Sequence, residues 1–381
     1  MTTSFRNHFP RLVEFGRGKV ASLFALCSER GWNRPFVVTD RGVERAGLLN
    51  ALGEEKELSK KWSGLFMEVP PEPPLETVDE LATQIMNAQA DAVVGLGGGS
   101  VMDAVKVASV CAQRRVPARS IVGIGKVNSR GLPTVLVPTT AGTGSEATFV
   151  AILTDKLSGN KVGVVDPCLL PDIAIVDPSL TDCLPYHVTA STGMDALVHA
   201  IEAYIARVAT PVARGLALEA ASRIGRGLER ACAAGSDKAA RDEMAIGSHL
   251  AGMAFANSSC CAVHALALPL GGRYAIPHGA ITGCFVGEMM RHNLNVCRED
   301  FADLSAALGW GRNDIASFPD RLDRLADSIG LPSQLKQVEV LEDVIGDMAR
   351  DAVANRRLMD PNPVPVDHAA AANIYRAVLR R

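Results

Sequence analysis

Short apolar runs alternate with amphipathic segments along the first half of the chain. Five such runs are rich in valine, isoleucine or leucine, and each ends in glycine, proline, aspartate or threonine, as buried strands do. Because strands that alternate with helices usually pair in parallel, this pattern predicts an α/β domain over residues 1–183, with a mostly parallel sheet and helices on both faces. The predicted strands are residues 35–40, 64–70, 90–99, 132–140 and 171–178.

The segment LETVDELATQIMNAQA, which lies between two of these runs, predicts one of the helices. Leu81, Ile85 and Ala88 recur at helical spacing and would share one side of it. Thr77 and Glu80 have the spacing of a capping box, the reciprocal pair of side chains found at the start of many helices.

The pattern changes after Pro185, where Ala, Leu, Met and Arg dominate and few β-branched runs remain. Apolar positions recur with helical spacing, so residues 184–381 are predicted to form an all-α domain. We expect the two domains to abut, with a cleft between them. Helices are predicted near residues 187–207, 211–234, 237–258, 279–295, 314–329, 340–354 and 367–380.

Composition and charge narrow the possible classes of function. A chain of 381 residues, 48% of them hydrophobic, exceeds what one core usually organises, which agrees with two domains. The net charge of −3 and the dispersed lysines and arginines disfavour a nucleic-acid partner. The N-terminal residues lack the apolar run of a signal peptide, and we expect no membrane span. The nine cysteines include no CxxC pair, which indicates reduced thiols in a cytoplasmic protein.

A glycine-rich turn is the first candidate site. Gly97, Gly98, Gly99 and Ser100 follow a predicted strand and precede a predicted helix, an arrangement that lets a pyrophosphate approach the backbone and the helix N-terminus. A tight strand–helix turn that binds nothing explains the same residues equally well. The spacing lacks the last glycine of the GxGxxG fingerprint. A P-loop at Gly125 and Lys126 is not supported, because Val127 stands where that motif needs serine or threonine.

A second loop, PTTAGTGSE, follows the next predicted strand and favours a nucleotide ligand. Its hydroxyls belong to Thr139, Thr140, Thr143 and Ser145 and can bond phosphate or ribose. Asp40 ends another predicted strand, where a carboxylate would accept from a ribose 2′-hydroxyl and repel a 2′-phosphate. Without a ligand, Asp40 would be an ordinary turn residue.

Four residues of the second half can be assembled into one metal site. Asp195 and His199 lie four apart in a predicted helix, so both side chains leave the same face. His264 and His278 complete a set of one carboxylate and three imidazoles, which suits a divalent transition ion. Such an ion would act as a Lewis acid toward a carbonyl or alkoxide oxygen. Spacing alone leaves open whether these histidines are ligands or satisfied structural residues.

The chain resembles the group III, iron-containing alcohol dehydrogenases. The resemblance rests on GGGSVMDAVK, PTTAGTGSEAT, AIVDPSL, GMDALVHAIEAY, VHALALPLGG and IPHG, which occur in the family's order over most of the chain. It implies an N-terminal dinucleotide-binding α/β domain and a C-terminal all-helical domain, the architecture of dehydroquinate synthase, with NAD(P)(H) and a divalent metal in the cleft. It also implies a homodimer or larger assembly.

The same resemblance assigns roles to individual residues. Fe²⁺ is the expected ion, with Zn²⁺ as the alternative, and NAD(H) is favoured over NADP by Asp40. The implied metal ligands are Asp195, His199, His264 and His278. The predicted cofactor site consists of Asp40, Gly97, Gly98, Gly99, Ser100, Asp103, Thr139, Thr140, Thr143, Ser145 and Lys161.

Two positions depart from the family pattern. Many members have a further histidine four residues after the third ligand, often given a proton-relay role, but this chain has Leu268 there. Glu72 begins a Glu-Pro-Pro sequence where the family often has Asn-Pro-Thr, which places a carboxylate near the expected cofactor. By analogy with family positions, Phe149, Phe255 and Leu268 would line an apolar substrate pocket.

These observations predict reversible hydride transfer between NAD(H) and a primary alcohol or aldehyde, with the metal polarising the substrate oxygen. Two alternatives remain at this point. One is a metal-dependent lyase or cyclising enzyme similar to dehydroquinate synthase, which would need a basic pocket for an acidic substrate. The other is a catalytically weak metal- or nucleotide-binding protein, in which Leu268 marks lost chemistry.

Overall fold

The computed structural model describes residues 4–53, 61–336 and 340–380. The chain divides into two compact units. One unit spans His8–Cys183, and the other is formed by the chain from Leu184 onward together with the residues before His8. The first unit contains all the described strands, and the second is helical. The α/β and all-α character predicted for the two halves is therefore confirmed.

The first unit is built on a six-stranded sheet in which every pair of neighbouring strands is parallel. Its order is β1-β9-β6-β4-β2-β3. Five of its strands coincide with the predicted apolar runs, and β1 is the addition. The strands of this sheet are β1 (Leu12–Phe15), β2 (Pro35–Val38), β3 (Gly64–Phe66), β4 (Ala92–Gly97), β6 (Thr134–Pro138) and β9 (Ile173–Val176).

A second sheet of three strands was not predicted. β5 (Gly123–Ile124) pairs in parallel with β8 (Asn160–Val165), which pairs antiparallel with β7 (Val150–Asp155). Buried and partly buried positions alternate along β7, and β8 is mostly partly buried. A search for continuous apolar runs misses such strands because only one of their faces packs against a core.

Helices cover both faces of the large sheet. Val37 and Val94 belong to the core on one face, while Val38 and Val93 belong to the core on the other, because successive strand residues point to opposite sides. The helices are α1 (Leu23–Glu29), α2 (Arg41–Arg45), α3 (Leu75–Asn87) and α4 (Gly99–Arg114). Short 3-10 turns occur at Lys19–Ser22, Leu48–Leu52, Ala118–Ile121, Ser145–Ala147, Pro167–Leu169 and Pro178–Thr181.

The capping box predicted for α3 is wrong. The helix begins at Leu75 after Pro74, which takes the N-cap position without a side-chain hydrogen bond. Thr77 and Glu80 therefore lie inside the helix rather than at its start. Proline determines the boundary because its fixed backbone angle and missing N–H suit a helix start.

The helical unit contains eleven described helices and one 3-10 turn, Ile315–Ser317. None of its described helices, nor any in the first unit, is long and apolar enough to cross a membrane. The helices are α5 (Tyr186–Ile205), α6 (Pro211–Ala233), α7 (Lys238–Ala256), α8 (Ala262–Arg273), α9 (His278–Asn293), α10 (Arg298–Ala307), α11 (Phe318–Ser328), α12 (Leu331–Leu335), α13 (Glu342–Ala354), α14 (Arg356–Met359) and α15 (His368–Leu379).

The pattern of the sequence did not predict α8, although this helix carries His264. Almost every residue from Ala262 to Leu270 is buried, so the helix has no polar face to create a recognisable period. Pro269 lies inside it and further obscures the pattern. Its neighbours α5 and α9 pack closely: a Cβ on Gly279 would lie 2.0 Å from the carbonyl oxygen of Ser191. Glycine at this position lets the start of α9 rest directly on α5.

Candidate dinucleotide and metal sites

The predicted cofactor residues of the α/β unit gather where the strand order reverses. β2 pairs with β3 on one side and β4 on the other, so the chain turns back between β2 and β4. Ligands of doubly wound sheets bind beside such a point, at the carboxyl ends of the strands. Asp40 follows β2, Gly97 ends β4, and Thr139 follows β6. The Thr39 hydroxyl donates to the Leu96 carbonyl at 2.7 Å and ties the first two strand ends together.

The glycine turn and the threonine loop pack against each other. The Thr139 N–H donates to the Gly97 carbonyl at 3.1 Å. A Cβ on Gly99 would lie 2.8 Å from Thr143 Cγ2, closer than side chains tolerate. Gly99 is also the first residue of α4. The backbone N–H groups of the first helical turn have no partner within the helix, and the glycines leave the backbone accessible there. The half-exposed members of this surface are Gly98, Gly99, Ser100, Thr140 and Thr143.

Behind these residues lies a network around the buried Lys106, which the sequence analysis did not single out, and it includes the predicted residues Asp103 and Ser145. Lys106 Nζ donates to Ser145 Oγ at 2.6 Å, to Thr148 Oγ1 at 3.0 Å and to the Val150 carbonyl at 2.8 Å. Ser145 Oγ in turn donates to Asp103 at 2.6 Å. Burial lowers the pKa of Lys106, and the nearby charge of Asp103 opposes that shift. Asp103 and Ser145 therefore brace the threonine loop against α4. Lys106 lies in the GGGSVMDAVK motif, so the family resemblance could have identified it from the sequence.

Asp40 has a structural role that the sequence left open. It is the N-cap of α2, and its Oδ1 accepts from the N–H groups of Gly42 at 2.7 Å and Val43 at 2.9 Å. These hydrogen bonds hold the carboxylate just past the end of β2, and the Thr39 hydroxyl ties that strand end to Leu96. The arrangement is that of an ordinary cap, and it leaves Oδ2 outside both bonds.

Lys161 and Ser100 are brought together through Glu72, the residue that departs from the family pattern. The Glu72 N–H donates to Ser100 Oγ at 3.2 Å, and its carboxylate forms an ion pair with Lys161 Nζ. Thr154 Oγ1 donates to the Glu72 carbonyl at 3.0 Å and so holds this segment against β7. The positive charge of Lys161 is therefore already matched by a carboxylate.

The helical unit brings all four predicted metal ligands into one cluster. Asp195 and His199 lie one turn apart on α5, His264 lies in the first turn of α8, and His278 is the first residue of α9. Asp195, His199 and His264 are each at most 6% exposed, and His278 is half-buried. Three chain segments that are far apart in sequence therefore meet at one point.

The distances within this cluster suit a shared cation. Nε2 of His264 and Nε2 of His278 each lie 3.8 Å from Asp195 Oδ1, and His199 Nδ1 lies 4.0 Å from Asp195 Oδ2. The rings of His199 and His264 stack at 4.6 Å between centroids. The ligand atoms of Asp195, His264 and His278 all lie within 4.8 Å of one another. The same limit encloses a second group, which consists of His199, His264 and Cys260.

Two polar residues that the sequence analysis did not single out orient these ligands. Glu202 is fully buried on α5, and its Oε2 lies 2.5 Å from His264 Nδ1. It also accepts from the N–H groups of Cys261 at 2.8 Å and Val263 at 2.7 Å. Thr282 on α9 donates to Asp195 Oδ1 at 2.9 Å. Carboxylates and hydroxyls in these positions fix the direction in which a ligand atom points.

The electrostatics of the cluster keep Asp195 ionised. Burial acts to raise the pKa of Asp195, but the charges of His199, His278 and His264, with the hydrogen bond from Thr282, outweigh it. The pKa of Asp195 therefore lies below its ordinary value. A carboxylate, rather than a carboxylic acid, faces the imidazoles.

The surroundings of His264 also favour positive charge. Burial alone would lower the pKa of His264, but Cys260 and Glu202 together raise it well above its ordinary value. Burial acts to raise the pKa of Cys260, and the charges of His264 and His199 overcome this and lower it to about 7. The negative charge that raises the pKa of His264 would equally favour a bound cation beside it.

The residues present fit a divalent metal ion. His199 Nδ1 and His264 Nε2 are buried nitrogens without a hydrogen-bond partner in the described part of the chain. Buried polar atoms that lack a partner are costly, and a bound cation is one way to satisfy them. Oxygen and nitrogen donors in this combination suit iron(II) and zinc.

The three apolar residues expected to line the substrate pocket belong to different units of the chain. Phe255 stacks on the His199 ring with 4.5 Å between centroids, and the half-buried Leu268 lies one turn after His264 on α8. Phe149 belongs to the α/β unit, where its ring packs edge-on against His8 at 5.7 Å. Within the helical unit, Phe255 thus gives the cluster an apolar neighbour.

Two family models match the chain and together cover most of it. The model described as iron-containing alcohol dehydrogenase matches residues 10–178. The model described as the C-terminal part of the Fe-containing alcohol dehydrogenase family matches residues 189–379. The first match contains the glycine turn and threonine loop, and the second contains the four predicted metal ligands.

Individual relatives agree with these matches. Long-chain-alcohol dehydrogenase 1 of Geobacillus thermodenitrificans is 36% identical over 378 residues, which is 97% of this chain and 95% of that protein. The crystal structure of a 1,3-propanediol oxidoreductase superposes with a TM-score of 0.93 at 32% identity, covering 99% of this chain and all of the other. Sulfoacetaldehyde reductase from Bifidobacterium kashiwanohense, solved in complex with NAD⁺, gives 0.90 at 29% identity and covers 99% of both chains.

Proposed function

The chain belongs to the iron-containing alcohol dehydrogenase family, and we propose that it transfers a hydride between NAD(H) and a primary alcohol or aldehyde. Membership in this family makes it an oxidoreductase of the alcohol dehydrogenase and aldehyde reductase kind. The observation that carries the proposal is the cluster of Asp195, His199, His264 and His278, because its donors suit an ion that activates an alcohol or carbonyl oxygen. The relatives named above are dehydrogenases and reductases, which favours hydride transfer over a lyase or cyclising reaction.

Asp195, His199, His264 and His278 are the proposed metal ligands. A bound divalent ion would supply Lewis acidity toward the substrate oxygen. The chain's own contribution is to keep Asp195 ionised and to orient His264 through Glu202. Iron(II) is the ion expected from the family, and zinc also suits one carboxylate and three imidazoles.

The glycine turn and the threonine loop are the proposed pyrophosphate site. Gly98, Gly99 and Ser100 present accessible backbone at the start of α4, where N–H groups and the helix dipole favour negative charge. Thr140 and Thr143 add hydroxyls from the neighbouring loop. Asp103 and Ser145 contribute by holding the loop in place. Lys161 supplies a cation nearby, although Glu72 already pairs with it.

Asp40 is the proposed reason for NAD rather than NADP use. Its carboxylate lies at the end of β2, where it would accept from a ribose 2′-hydroxyl and repel a 2′-phosphate. A relative solved with NAD⁺ supports the same choice. The hydrogen bonds to Gly42 and Val43 would keep the carboxylate in position without a ligand.

The Asp40→Ser variant tests this role. Serine keeps an N-cap oxygen but removes the negative charge. A hydrogen bond to a charged group contributes roughly 1.5 kcal/mol, so its loss should raise the ratio of kcat/KM for NADP to kcat/KM for NAD about tenfold. Steady-state kinetics with both cofactors measures the ratio. Asp40→Ala is the control for the cap, since it should also lower the unfolding free energy by about 1 kcal/mol. An unchanged cofactor ratio in both variants would remove Asp40 from the NAD site.

The proton that is released or taken up with the hydride needs a carrier other than the histidine that many family members have at the position of Leu268. This apolar side chain lies one turn after His264 and cannot exchange a proton. We propose that water or a ribose hydroxyl of the cofactor takes this part. The absence of an imidazole there also makes the substrate pocket more apolar.

A cytoplasmic homodimer or larger homo-oligomer completes the proposal. All nine cysteines are free thiols, as in proteins of reducing compartments. The oligomer is the family's common form.

An anaerobic assay tests the proposed function. Protein loaded with Fe²⁺ or Zn²⁺ is mixed with NAD(H) and a panel of primary alcohols and aldehydes, and nicotinamide absorbance is followed. We expect turnover that requires metal and is lost in His199→Ala. His187→Ala is the matched control, because His187 is an exposed histidine on the same helix. Failure of every combination of metal, cofactor and substrate would refute the proposal, and survival of both bound metal and activity in His199→Ala would refute the ligand set.

A further inference from the structure

Cys260 lies against two of the proposed metal ligands. Its sulfur and one nitrogen each of His199 and His264 all lie within 4.8 Å of one another. Sulfur and nitrogen ligands of one tetrahedral zinc ion, at metal distances of about 2.3 and 2.1 Å, are separated by about 3.6 Å, so the atoms would approach one another by at most about 1.2 Å. The three atoms are therefore close enough to bind one ion after small side-chain movements.

The imidazoles give a second, independent indication of a ligand. His199 and His264 are each 6% exposed, and Nδ1 of the first and Nε2 of the second lack hydrogen-bond partners in the described chain. Cys260 is itself 8% exposed. A buried thiol against two imidazoles, in each of which one nitrogen has no nitrogen or oxygen partner in the described chain, is an arrangement that a bound metal ion would satisfy.

The backbone holds Cys260 firmly at this place. The loop before α8 is fastened to α5 on both sides of the cysteine: Ser258 Oγ donates to the Ala203 carbonyl at 2.9 Å, and the Cys261 N–H donates to Glu202 Oε2 at 2.8 Å. The neighbouring Cys261 thiol is directed elsewhere, toward the Glu202 carbonyl at 3.7 Å. The two adjacent cysteines therefore have different environments, and only the first belongs to a group of candidate metal ligands in the described chain.

We propose that Cys260 is a further ligand of the metal ion, bound as a thiolate together with His199 and His264. The inference rests on the proposed function, because it assumes that this cluster is the metal site. On binding, the thiol loses its proton to solvent and the sulfur forms a bond to the ion. A thiolate is softer than a carboxylate, so this ligand shifts the preference of the site toward zinc and away from iron(II).

Cobalt(II) substitution tests the proposal without reference to activity. The metal-free protein is titrated with Co²⁺, and the near-ultraviolet spectrum is recorded for the wild type, Cys260→Ser and Cys261→Ser. We expect a sulfur-to-cobalt charge-transfer band in the wild type and in Cys261→Ser, and its loss in Cys260→Ser at full cobalt occupancy. Far-ultraviolet circular dichroism verifies that each variant is folded, and Cys260→Ala provides a second variant if serine disturbs the packing.

Metal competition gives a second readout. Since even partners that only orient a ligand change metal affinity about 10–100-fold, loss of a ligand should lower zinc affinity by at least tenfold. Iron(II) affinity should fall less, so the zinc-to-iron ratio decreases. Stoichiometric cobalt binding without a charge-transfer band in the wild type would overturn the role of Cys260 alone. No cobalt binding in the wild type would overturn the metal site and this inference together.

Discussion

Glu202 illustrates how one side chain can organise the proposed metal site. It lies on α5 seven residues after Asp195, which places both on the same face of the helix. Its carboxylate contacts His264 Nδ1 and two backbone N–H groups of the segment that begins α8. A carboxylate at Nδ1 favours the tautomer that leaves Nε2 of His264 free to bind a metal. The motif GMDALVHAIEAY contained this residue, but its partner could not be recognised from spacing.

The Glu202→Gln variant should weaken metal binding. Glutamine has the same shape as glutamate but lacks its charge. Its amide NH₂ group would also face the backbone N–H groups that donate to Glu202, and two donors cannot form a hydrogen bond with each other. We expect metal affinity to fall about 10–100-fold, measured by competition with a chromophoric chelator. Glu219→Gln is the control, because Glu219 is a half-exposed surface residue of α6 that pairs with Arg223. Equal metal affinity in a folded Glu202→Gln protein would contradict the orienting role.

The glycine turn and the threonine loop function as one element although they are joined to different strands. β4 and β6 pair in parallel with Gly97 opposite Pro138, so their carboxyl ends lie side by side. Thr143 then occupies the space that a side chain at position 99 would need. Lys106 and Asp103 hold the same loop from behind. The surface proposed to bind a pyrophosphate thus depends on packing between two loops.

Two alanine variants separate packing from ligand binding. Gly99→Ala places a Cβ 2.8 Å from Thr143 Cγ2 and should reduce the unfolding free energy by roughly 1–3 kcal/mol, with partial recovery in Gly99→Ala/Thr143→Ala. A Cβ at Gly98 has its nearest contact at 3.7 Å, so Gly98→Ala should cost only about 0.5 kcal/mol, for an alanine at the N-cap of α4, and should lose NAD affinity. Chemical denaturation and NAD titration measure the two effects. Equal stability losses in the two single variants would contradict the close contact at Gly99.

The protein as a whole consists of two units, and each contains one of the two proposed ligand sites. The proposed metal ligands come from α5, α8 and α9 and would cross-link three helices of one unit. The proposed nucleotide residues belong to the other unit. A ligand that binds only a folded unit stabilises that unit by mass action. Each ligand should therefore protect its own unit first.

Metal removal should destabilise the helical unit selectively. At a metal concentration about 1,000 times its dissociation constant, binding contributes about 4 kcal/mol, which a chelator would remove. We expect faster hydrogen exchange in α5, α8 and α9 of the chelated protein, with little change in β4 and α4, as measured by mass spectrometry. Added NAD should slow exchange at the start of α4 instead. Uniform acceleration over both units after chelation would contradict a metal site confined to the helices.

The chain pattern determined the classes of secondary structure and the main candidates for chemistry. Continuous apolar runs predicted five strands of the large sheet, and the spacing of Asp195 and His199 placed them one turn apart on one helix. Both are local properties, since a strand or a helical turn is read from neighbouring residues. His264 and His278 were already candidates to complete the set, and the resemblance to a known family implied that they do.

Packing between distant segments decided the rest. Glu202 and His264 are 62 residues apart in sequence, and Lys106 and Ser145 are 39 apart, so their contacts depend on how helices and loops meet. The same applies to Cys260, whose place beside two imidazoles follows from a loop fastened to α5. Hydrogen bonds and metal ligands require positions accurate to a fraction of an ångström, and residue spacing along a chain carries no such information across separate elements.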